Sequence, residues 1–185
     1  MIRWLLEVDP LTPLTRCMPG WADLSEGNLP EAIAPYREMH LMDPANPVAR
    51  LFYTWVLALN GRRDEVVSVV DGFGAADGAT TAAKLARVLR LAVEGRSREV
   101  ATSVTAKLEE TARSTDFFAR LLANVYALIG DEDRALRWLQ VAIDRGFINY
   151  PYLAEYDPLL KGLRKDKRFI QLLARVRERW ERFEE

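Results

Sequence analysis

The amino-acid sequence predicts an all-α protein of stacked helical hairpins, closed at its carboxyl end by a capping helix. Glycine recurs at intervals of 34, 34 and 35 residues, at Gly27, Gly61, Gly95 and Gly130. Independently, LLEVDPLTPLTR at 5–16 can be laid over MHLMDPANPVAR at 39–50, with Asp-Pro, a second Pro and Arg each shifted by 34. The stretch 124–147 also reads as two amphipathic helices separated by a glycine. Together these observations predict a repeat of one hairpin per period.

The amino-terminal residues 1–10 align with the end of a second helix whose first helix is missing. The chain is therefore expected to begin inside a repeat. Trp4, Leu5 and Leu6 would then lack their usual cover, because each hairpin of a solenoid packs on its neighbours. We expect either that the natural protein continues upstream or that a partner or a second copy covers this edge.

Four hairpins follow, predicted at residues 11–45, 46–77, 78–114 and 115–148. In the last of them Gly130 ends an apolar run, where glycine can adopt the left-handed conformation that closes a helix. The next apolar run is preceded by the acidic residues Asp131, Glu132 and Asp133. Negative charge at the start of a helix is stabilised by the positive end of the helix dipole, so a second helix is predicted to begin there. The glycine-rich stretch 71–80 is predicted to link the second and third hairpins.

The carboxyl-terminal residues 149–185 depart from the repeat and are predicted to form the cap. One helical stripe is apolar and is expected to dock, at Phe169, Leu172, Leu173, Val176 and Trp180. The outer face of that helix is expected to be solvated and mixes basic with acidic residues, at Arg175, Arg177, Arg179, Arg182, Glu178, Glu181 and Glu184.

These hairpins resemble the tetratricopeptide repeat. The fourth matches the family pattern well, at Ala123, Tyr126, Gly130, Ala135 and Ala142, and the first retains Gly20, Gly27, Ala32, Tyr36 and Pro44. The second and third are degenerate and carry Thr54 or Val88, then Val66 or Val100, where the family prefers small residues. The resemblance implies a right-handed α-solenoid with looser hairpins in its middle.

The closing segment resembles more narrowly the tetratricopeptide region at the carboxyl end of bacterial signalling proteins. The matching residues are Asp157, Pro158, Leu163, Arg164, Asp166, Arg168 and Phe169, whereas Lys167 replaces the usual proline. In those proteins the region follows serine/threonine kinase, adenylate/guanylate cyclase or winged-helix regulator domains. The resemblance implies a non-catalytic, cytoplasmic interaction module within a longer protein.

Composition agrees with a globular chain that binds neither nucleic acid nor membrane. Its 185 residues are 49% hydrophobic, with a formal net charge of −1 and a pI of about 6.0. No apolar run is long enough to span a membrane, and no basic excess predicts a nucleic-acid surface. A single cysteine, Cys17, excludes an internal disulfide and fits a reducing compartment.

No constellation of residues predicts catalysis, a metal or a cofactor. His40 and Cys17 have no third partner in the pattern, so a packed or surface histidine is the simpler interpretation. The stretch 71–80 lacks the Lys-Ser/Thr ending of a phosphate loop, and residues 131–133 lack the alternating ligands of an EF-hand.

Function is therefore expected in the concave groove that the first helices of such hairpins line. The family's groove positions, transferred to this sequence, include Leu14, Cys17, Val48, Ala58, Ala82 and Leu128. The nine selected as the candidate groove are Trp21, Leu24, Leu51, Trp55, Leu85, Leu89, Phe117, Arg120 and Asn124. Trp21 and Trp55 lie one repeat apart and could form an aromatic ladder for an extended peptide or a partner helix. The competing interpretation is that both tryptophans only pack the hairpin interfaces.

Arg120 and Asn124 occupy positions where chaperone-binding relatives use a Lys and an Asn to hold a terminal carboxylate. Such a clamp needs more donors from the following two repeats, and here the cap follows instead. Two classes of function remain: a module that binds a protein or peptide in its groove, and a structural element that homodimerises through its amino-terminal edge or last helix.

Overall fold

The computed structural model describes residues 2–9, 11–74 and 79–184, and these residues form helices and no strand. The predicted all-α class is confirmed. Pro10, in the first Asp-Pro step, and residues 75–78 of the predicted linker lie outside the described ranges. The chain divides into two compact units, Met1–Ala86 (unit 1) and Arg87–Glu185 (unit 2). The right-handed solenoid stays a prediction.

Unit 1 consists of consecutive helices that pack in chain order. They are α1 (Ile2–Val8), α2 (Pro13–Glu26), α3 (Leu29–Met42), α4 (Pro47–Leu59), α5 (Arg63–Asp71) and the first part of α6 (Thr81–Val93). Helix α2 packs on α3, α3 on α4 and α4 on α5. Asn60 at the end of α4 donates its side-chain N–H to the carbonyl of Leu29 at the start of α3, over 2.9 Å, which ties the two helices together.

Unit 2 begins within α6 and ends in the predicted cap. Its elements are α7 (Ser97–Ser103), α8 (Ala106–Ala112), α9 (Asp116–Leu128), α10 (Glu132–Asp144), a π-helical turn (Tyr152–Tyr156), a 3-10 helix (Pro158–Lys165) and α11 (Lys167–Glu184). Helix α9 packs against α10 and against the 3-10 helix, and α11 packs against those same two elements. The irregular segment between α10 and α11 therefore lies against α9.

The four glycines that mark the repeat all end helices in the left-handed conformation. Their φ angles lie between 66° and 85°. After each one, the next N–H bonds to the carbonyl five residues earlier, as in the 2.9 Å bond from Asp131 to Tyr126. This bond satisfies a carbonyl that the helix end leaves free. The predicted role of Gly130 is confirmed, and Gly146 closes α10 by the same bond pattern with a φ of 109°.

The second helix of the third predicted hairpin is broken into α7 and α8, which the sequence analysis did not anticipate. Val104 is extended, with φ −82° and ψ 90°. The hydroxyl of Thr105 then accepts the N–H of Leu108 and starts α8. The run Thr102-Ser103-Val104-Thr105 explains the break, because β-branched residues lose rotamer freedom in a helix and hydroxyl side chains compete for its backbone bonds.

Helix α11 docks through part of its predicted stripe, with Phe169 and Val176 fully buried. Two arginines of the outer face, which was expected to be solvated, also bond to α10, and Arg175 stays exposed. Arg175 donates to the side-chain oxygen of Gln140 at 2.8 Å, and Arg179 donates to the carbonyl of Ile143 at 2.9 Å. Both reach α10 because arginines that flank a docked stripe can extend along the neighbouring helix while keeping their charge near water.

None of the helices in the described ranges combines the length and the apolar composition that crossing a membrane would require.

Candidate functional site

The predicted groove residues are mostly core residues in this structure. Seven of the nine are buried by the chain itself, at Leu24, Leu51, Trp55, Leu85, Leu89, Arg120 and Asn124. Trp21 and Phe117 keep part of their surface exposed. A ligand could reach the seven only if neighbouring segments moved, so they do not form an open binding surface in this conformation.

The two tryptophans differ in their surroundings. Trp55 is fully buried and the other residues of α4 from Tyr53 to Leu59 are also buried, whereas Trp21 on α2 is half-buried. The reason is visible in α4 itself, since the run Trp55-Val56-Leu57-Ala58-Leu59 has no polar face to present to water. Burial of Trp55 favours the interpretation that it packs the hairpin interface, and a ladder of two accessible rings is not present.

Arg120 and Asn124 lie one turn apart on α9, on the same face of the helix, because residues four apart are neighbours there. The structure places a third polar residue, Asp157, against them from the turn that precedes the 3-10 helix. Four polar or charged side chains are buried within the described ranges, and these are three of them. We refer to Arg120, Asn124 and Asp157 as the polar cluster.

The carboxylate of Asp157 is held through both of its oxygens. Asn124 donates its side-chain N–H to Oδ2 over 2.9 Å. The backbone N–H of Leu159 donates to Oδ1 over 2.9 Å, so the same side chain also caps the 3-10 helix. The guanidinium of Arg164 also donates hydrogen bonds to the backbone carbonyl oxygens of Glu155 and Asp157, at 2.6 and 3.1 Å. The loop that presents the carboxylate is thereby held in place.

The guanidinium of Arg120 is surrounded by aromatic rings. Its central carbon lies 4.1 Å from the ring centre of Phe147, 5.3 Å from that of Tyr152 and 5.8 Å from that of Phe117. Cations over ring faces are attracted by the ring quadrupole, and the attraction is strongest away from water. Because Arg120 is almost fully buried, these contacts offset part of the cost of removing its charge from solvent.

The electrostatics of Asp157 combine opposing effects. Burial raises the pKa of the carboxyl above its ordinary value, since the charged form loses its hydration. The hydrogen bond from Asn124, the N–H of Leu159 and the positive charge of Arg120 act in the other direction and lower that pKa. The cluster therefore stabilises a carboxylate in a place that would otherwise favour the neutral acid.

The other candidate residues of the sequence analysis are packed groups. Burial raises the pKa of the Cys17 thiol to about 11, and its Sγ contacts the carbonyl of Leu14 at 3.1 Å. His40 stacks on Tyr53 with ring centres 5.6 Å apart, and burial, with a smaller effect of Arg50, lowers its pKa. In the part of the chain that is described, no three His, Cys, Asp or Glu side chains gather into a group suited to a metal ion.

Sequence reasoning identified two members of the polar cluster and missed the third as a site residue. Asp157 appeared only within the closing-segment resemblance, 33 residues after Asn124. Its signal was local, because an aspartate directly before a proline is a typical start for a short helix. That signal predicts a cap and carries no information about which distant side chains meet it.

Comparison with known proteins adds no relative: no family model matches the chain, and neither the curated proteins nor the solved structures yielded a match.

Proposed function

We propose that this chain is a non-catalytic protein-interaction module that binds a peptide or a helix of a protein partner. The observation that carries the proposal is a pair of exposed apolar side chains at equivalent repeat positions. Leu14, near the start of α2, is 59% exposed, and Val48, near the start of α4, is 45% exposed. They are 34 residues apart, which is the repeat period.

Equivalent positions of a helical repeat tend to line one continuous surface. Exposed apolar side chains that recur on such a surface are typical of interaction sites. Their contact with water is unfavourable, and binding of a partner removes it. Trp21, which keeps part of its surface exposed, lies two turns after Leu14 on α2 and adds an aromatic side chain of the kind that often dominates binding energy. The proposed contact surface is therefore Leu14, Trp21 and Val48, which are the exposed or partly exposed members of the groove positions that the family pattern gives for the first two hairpins.

The resemblance of the closing segment to the ends of bacterial signalling proteins supports a further part of the proposal. The module would then recruit or regulate an attached kinase, cyclase or DNA-binding domain. This part rests on residues Asp157 to Phe169 of the sequence alone.

Selection of peptides from a random library on the immobilised chain tests the interaction function. The selected peptides are expected to lose at least about tenfold in affinity on Leu14→Glu and on Val48→Glu, since a buried charge opposes binding at an apolar contact. Ile170→Glu, at an exposed apolar position of α11, is the matched control and is expected to bind normally. Failure to select any peptide, or equal binding by all three variants, would contradict the proposal.

Self-association is the second candidate function, favoured by exposed apolar residues at the amino-terminal edge. Trp4 is 61% exposed on α1, and Val8 and Leu11 are also exposed. On α11, Ile170 and Phe183 are exposed as well. A module that binds other proteins would keep a constant monomer mass as its concentration rises, whereas a self-associating chain would not.

A further inference from the structure

Helices α10 and α11 lie side by side and run in the same direction. Near the start of both helices, Arg168 donates to the carboxylate of Asp133, and further along Arg175 donates to the side-chain oxygen of Gln140. The residues of each pair are 35 apart, which is also the interval between the last two glycines of the repeat. Helix α11 therefore follows α10 by one repeat period, and an open groove lies between the two helices.

The groove between α10 and α11 combines apolar and basic side chains. It has a volume of about 410 Å³ and lies within unit 2. A groove between two packed helices can take the side-chain ridge of a third helix, so its shape suits an amphipathic helix. Its apolar lining residues are the buried Leu136 and the partly exposed Leu172, and its charged lining residues are Asp133, Arg137, Arg168 and Arg175.

The carboxylates near the groove lie towards its two ends. At the start of the helices, Arg168 pairs with Asp133 and also with Asp166, the latter at 2.7 Å. Towards the end of α10, Arg175 lies 3.8 Å from Asp144, and both side chains are more than half exposed. Such a long, exposed contact contributes little, so Arg175 can pair with a carboxylate from outside.

Arg137 lies between these ends and is exposed. Within the described ranges it forms no hydrogen bond or ion pair. Asp133 is one turn earlier on the same helix, where an ion pair with Arg137 could form, but its carboxylate bonds to Arg168. The guanidinium of Arg137 therefore faces the groove without a carboxylate of its own.

The charges on the other side of Arg137 do not neutralise it either. There it borders a small cavity of about 80 Å³, whose other charged residues are Glu109, Arg113 and Arg134. Glu109 lies 3.8 Å from Arg113, and Asp131 lies 3.4 Å from Arg134. The middle of the groove thus has positive charge that no carboxylate of the described residues matches.

We propose that the groove between α10 and α11 binds an acidic amphipathic helix of a partner protein. Apolar side chains of that helix contact Leu136 and Leu172, and a glutamate or aspartate beside them pairs with Arg137. A guanidinium holds a carboxylate through two parallel N–H bonds, and the positive groove repels a basic helix. This surface goes beyond the proposed function, because it belongs to unit 2 and shares no residue with the surface of Leu14, Trp21 and Val48.

Selection from a library of helical peptides tests the groove in the full chain. Each peptide has leucines along one face and glutamate, glutamine or lysine at random beside them. Glutamate is expected to be enriched in the bound peptides. Their affinity is expected to fall at least about tenfold on Arg137→Gln, which removes the charge and keeps a polar side chain. If glutamate is not enriched over lysine, the proposal is wrong.

Arg145→Gln is the matched control. Arg145 is an exposed arginine directly after α10 and does not line the groove. Both variants change an exposed side chain and are expected to keep the urea midpoint of the wild type. The glutamate peptides are expected to bind Arg145→Gln as they bind the wild type. Equal losses on the two variants would show only a general attraction to positive charge and would overturn the proposal.

An exchange of charges identifies the partner of the peptide carboxylate. Arg137→Glu is expected to reject the glutamate peptides and to bind versions in which one glutamate is replaced by lysine. Failure of every such exchange would overturn the pairing with Arg137. If the chain alone forms a dimer that Arg137→Glu dissociates, the occupant is a second copy of the chain, and the proposed partner helix is wrong.

Leu14→Glu separates this proposal from the proposed function. The glutamate peptides are expected to bind Leu14→Glu normally, since Leu14 is not part of the groove. If the bound peptides are lost on Leu14→Glu and retained on Arg137→Gln, only the groove is excluded. If all of them depend on Arg137 and none on Leu14 or Val48, only the function proposed for those two residues is excluded.

Discussion

At the scale of single residues, the unusual feature of this protein is a buried carboxyl, that of Asp157, in a cluster with the buried side chains of Asn124 and Arg120. Asp157 is fully buried and receives N–H bonds from Asn124 and Leu159, while the charge of Arg120 favours its ionised form. A group whose folded-state pKa is raised contributes stability that is present at low pH and is lost as pH rises through that pKa. Arg120 limits this loss because it lowers the pKa of Asp157.

We predict that Arg120→Met destabilises the protein more at pH 7 than at pH 4. Without the guanidinium, the pKa of buried Asp157 rises further, and each unit of that rise removes about 1.4 kcal/mol once the pH is above the new value. At pH 4 most of this cost is absent, and the substitution removes mainly the contacts with Phe147 and Tyr152. Urea unfolding at both pH values measures the difference.

The control for this prediction is the double variant Arg120→Met with Asp157→Asn. It contains no ionisable group at the cluster, so the extra loss between pH 4 and pH 7 is expected to disappear. It is also expected to be more stable at pH 7 than Arg120→Met alone, because removal of both charges leaves neither one buried without its counter-charge. If Arg120→Met lowered the free energy of unfolding equally at both pH values, the charge of Arg120 would have no effect on the ionisation of Asp157.

At the scale of elements, the starts of α3 and α4 offer a matched comparison of helix capping. The side chain of Asn46 accepts the N–H groups of Val48 and Ala49 at the start of α4, whereas Asn28 before α3 makes no such bond with its side chain. Asn46→Ala is expected to lower the free energy of unfolding by about 1 kcal/mol, and Asn28→Ala by much less. Urea unfolding of the two variants measures this, and equal losses would mean that the cap bonds of Asn46 add no stability.

The packing of α2 on α3 depends on Gly20. An added Cβ there would lie 2.9 Å from Cδ2 of Tyr36 and 3.0 Å from the carbonyl oxygen of Ala32, so a fully buried ring and a backbone atom would have to move. We predict that Gly20→Ala lowers the free energy of unfolding by about 1–3 kcal/mol, although alanine is the better helix former.

Gly162 provides the comparison for Gly20, because a Cβ built on it meets no heavy atom within 4 Å. Gly162→Ala is expected to leave the thermal unfolding midpoint unchanged or to raise it slightly. If Gly20→Ala were equally well tolerated, the close approach of α2 to α3 would not require a glycine.

At the scale of the whole molecule, the exposed apolar residues are compatible with a monomer or a homodimer, and measurements of mass in solution distinguish the two. If the amino-terminal edge is a homodimer interface, the mass measured by light scattering rises with concentration through the micromolar range. Trp4→Glu is then expected to restore the monomer, because it places a charge at a 61% exposed apolar position. A dimer that Phe183→Glu dissociates instead would assign the interface to α11, and a constant monomer mass would remove self-association.

Much of the helical organisation was predictable, because its signals are local. The repeated glycines predicted four helix ends, and each has the left-handed φ and the closing hydrogen bond expected of it. The break between α7 and α8 was not predicted, since a run of threonine, serine and valine is compatible with either a weak helix or an interruption. The two local conformations are close in energy, so the packing of the surrounding helices decides which one forms.

The sequence by itself determined the all-α class, the period of the repeated glycines and the helix ends at those glycines, because backbone sterics and apolar periodicity act over a few residues. Only the tertiary structure decided which side chains are buried and which residues distant in the sequence contact each other. It placed Trp55 in the core and left Leu14 and Val48 exposed. It also brought Asp157 to Asn124 across 33 residues. The physical reason is that burial and long-range pairing depend on how whole elements pack, and no short stretch of sequence contains that information.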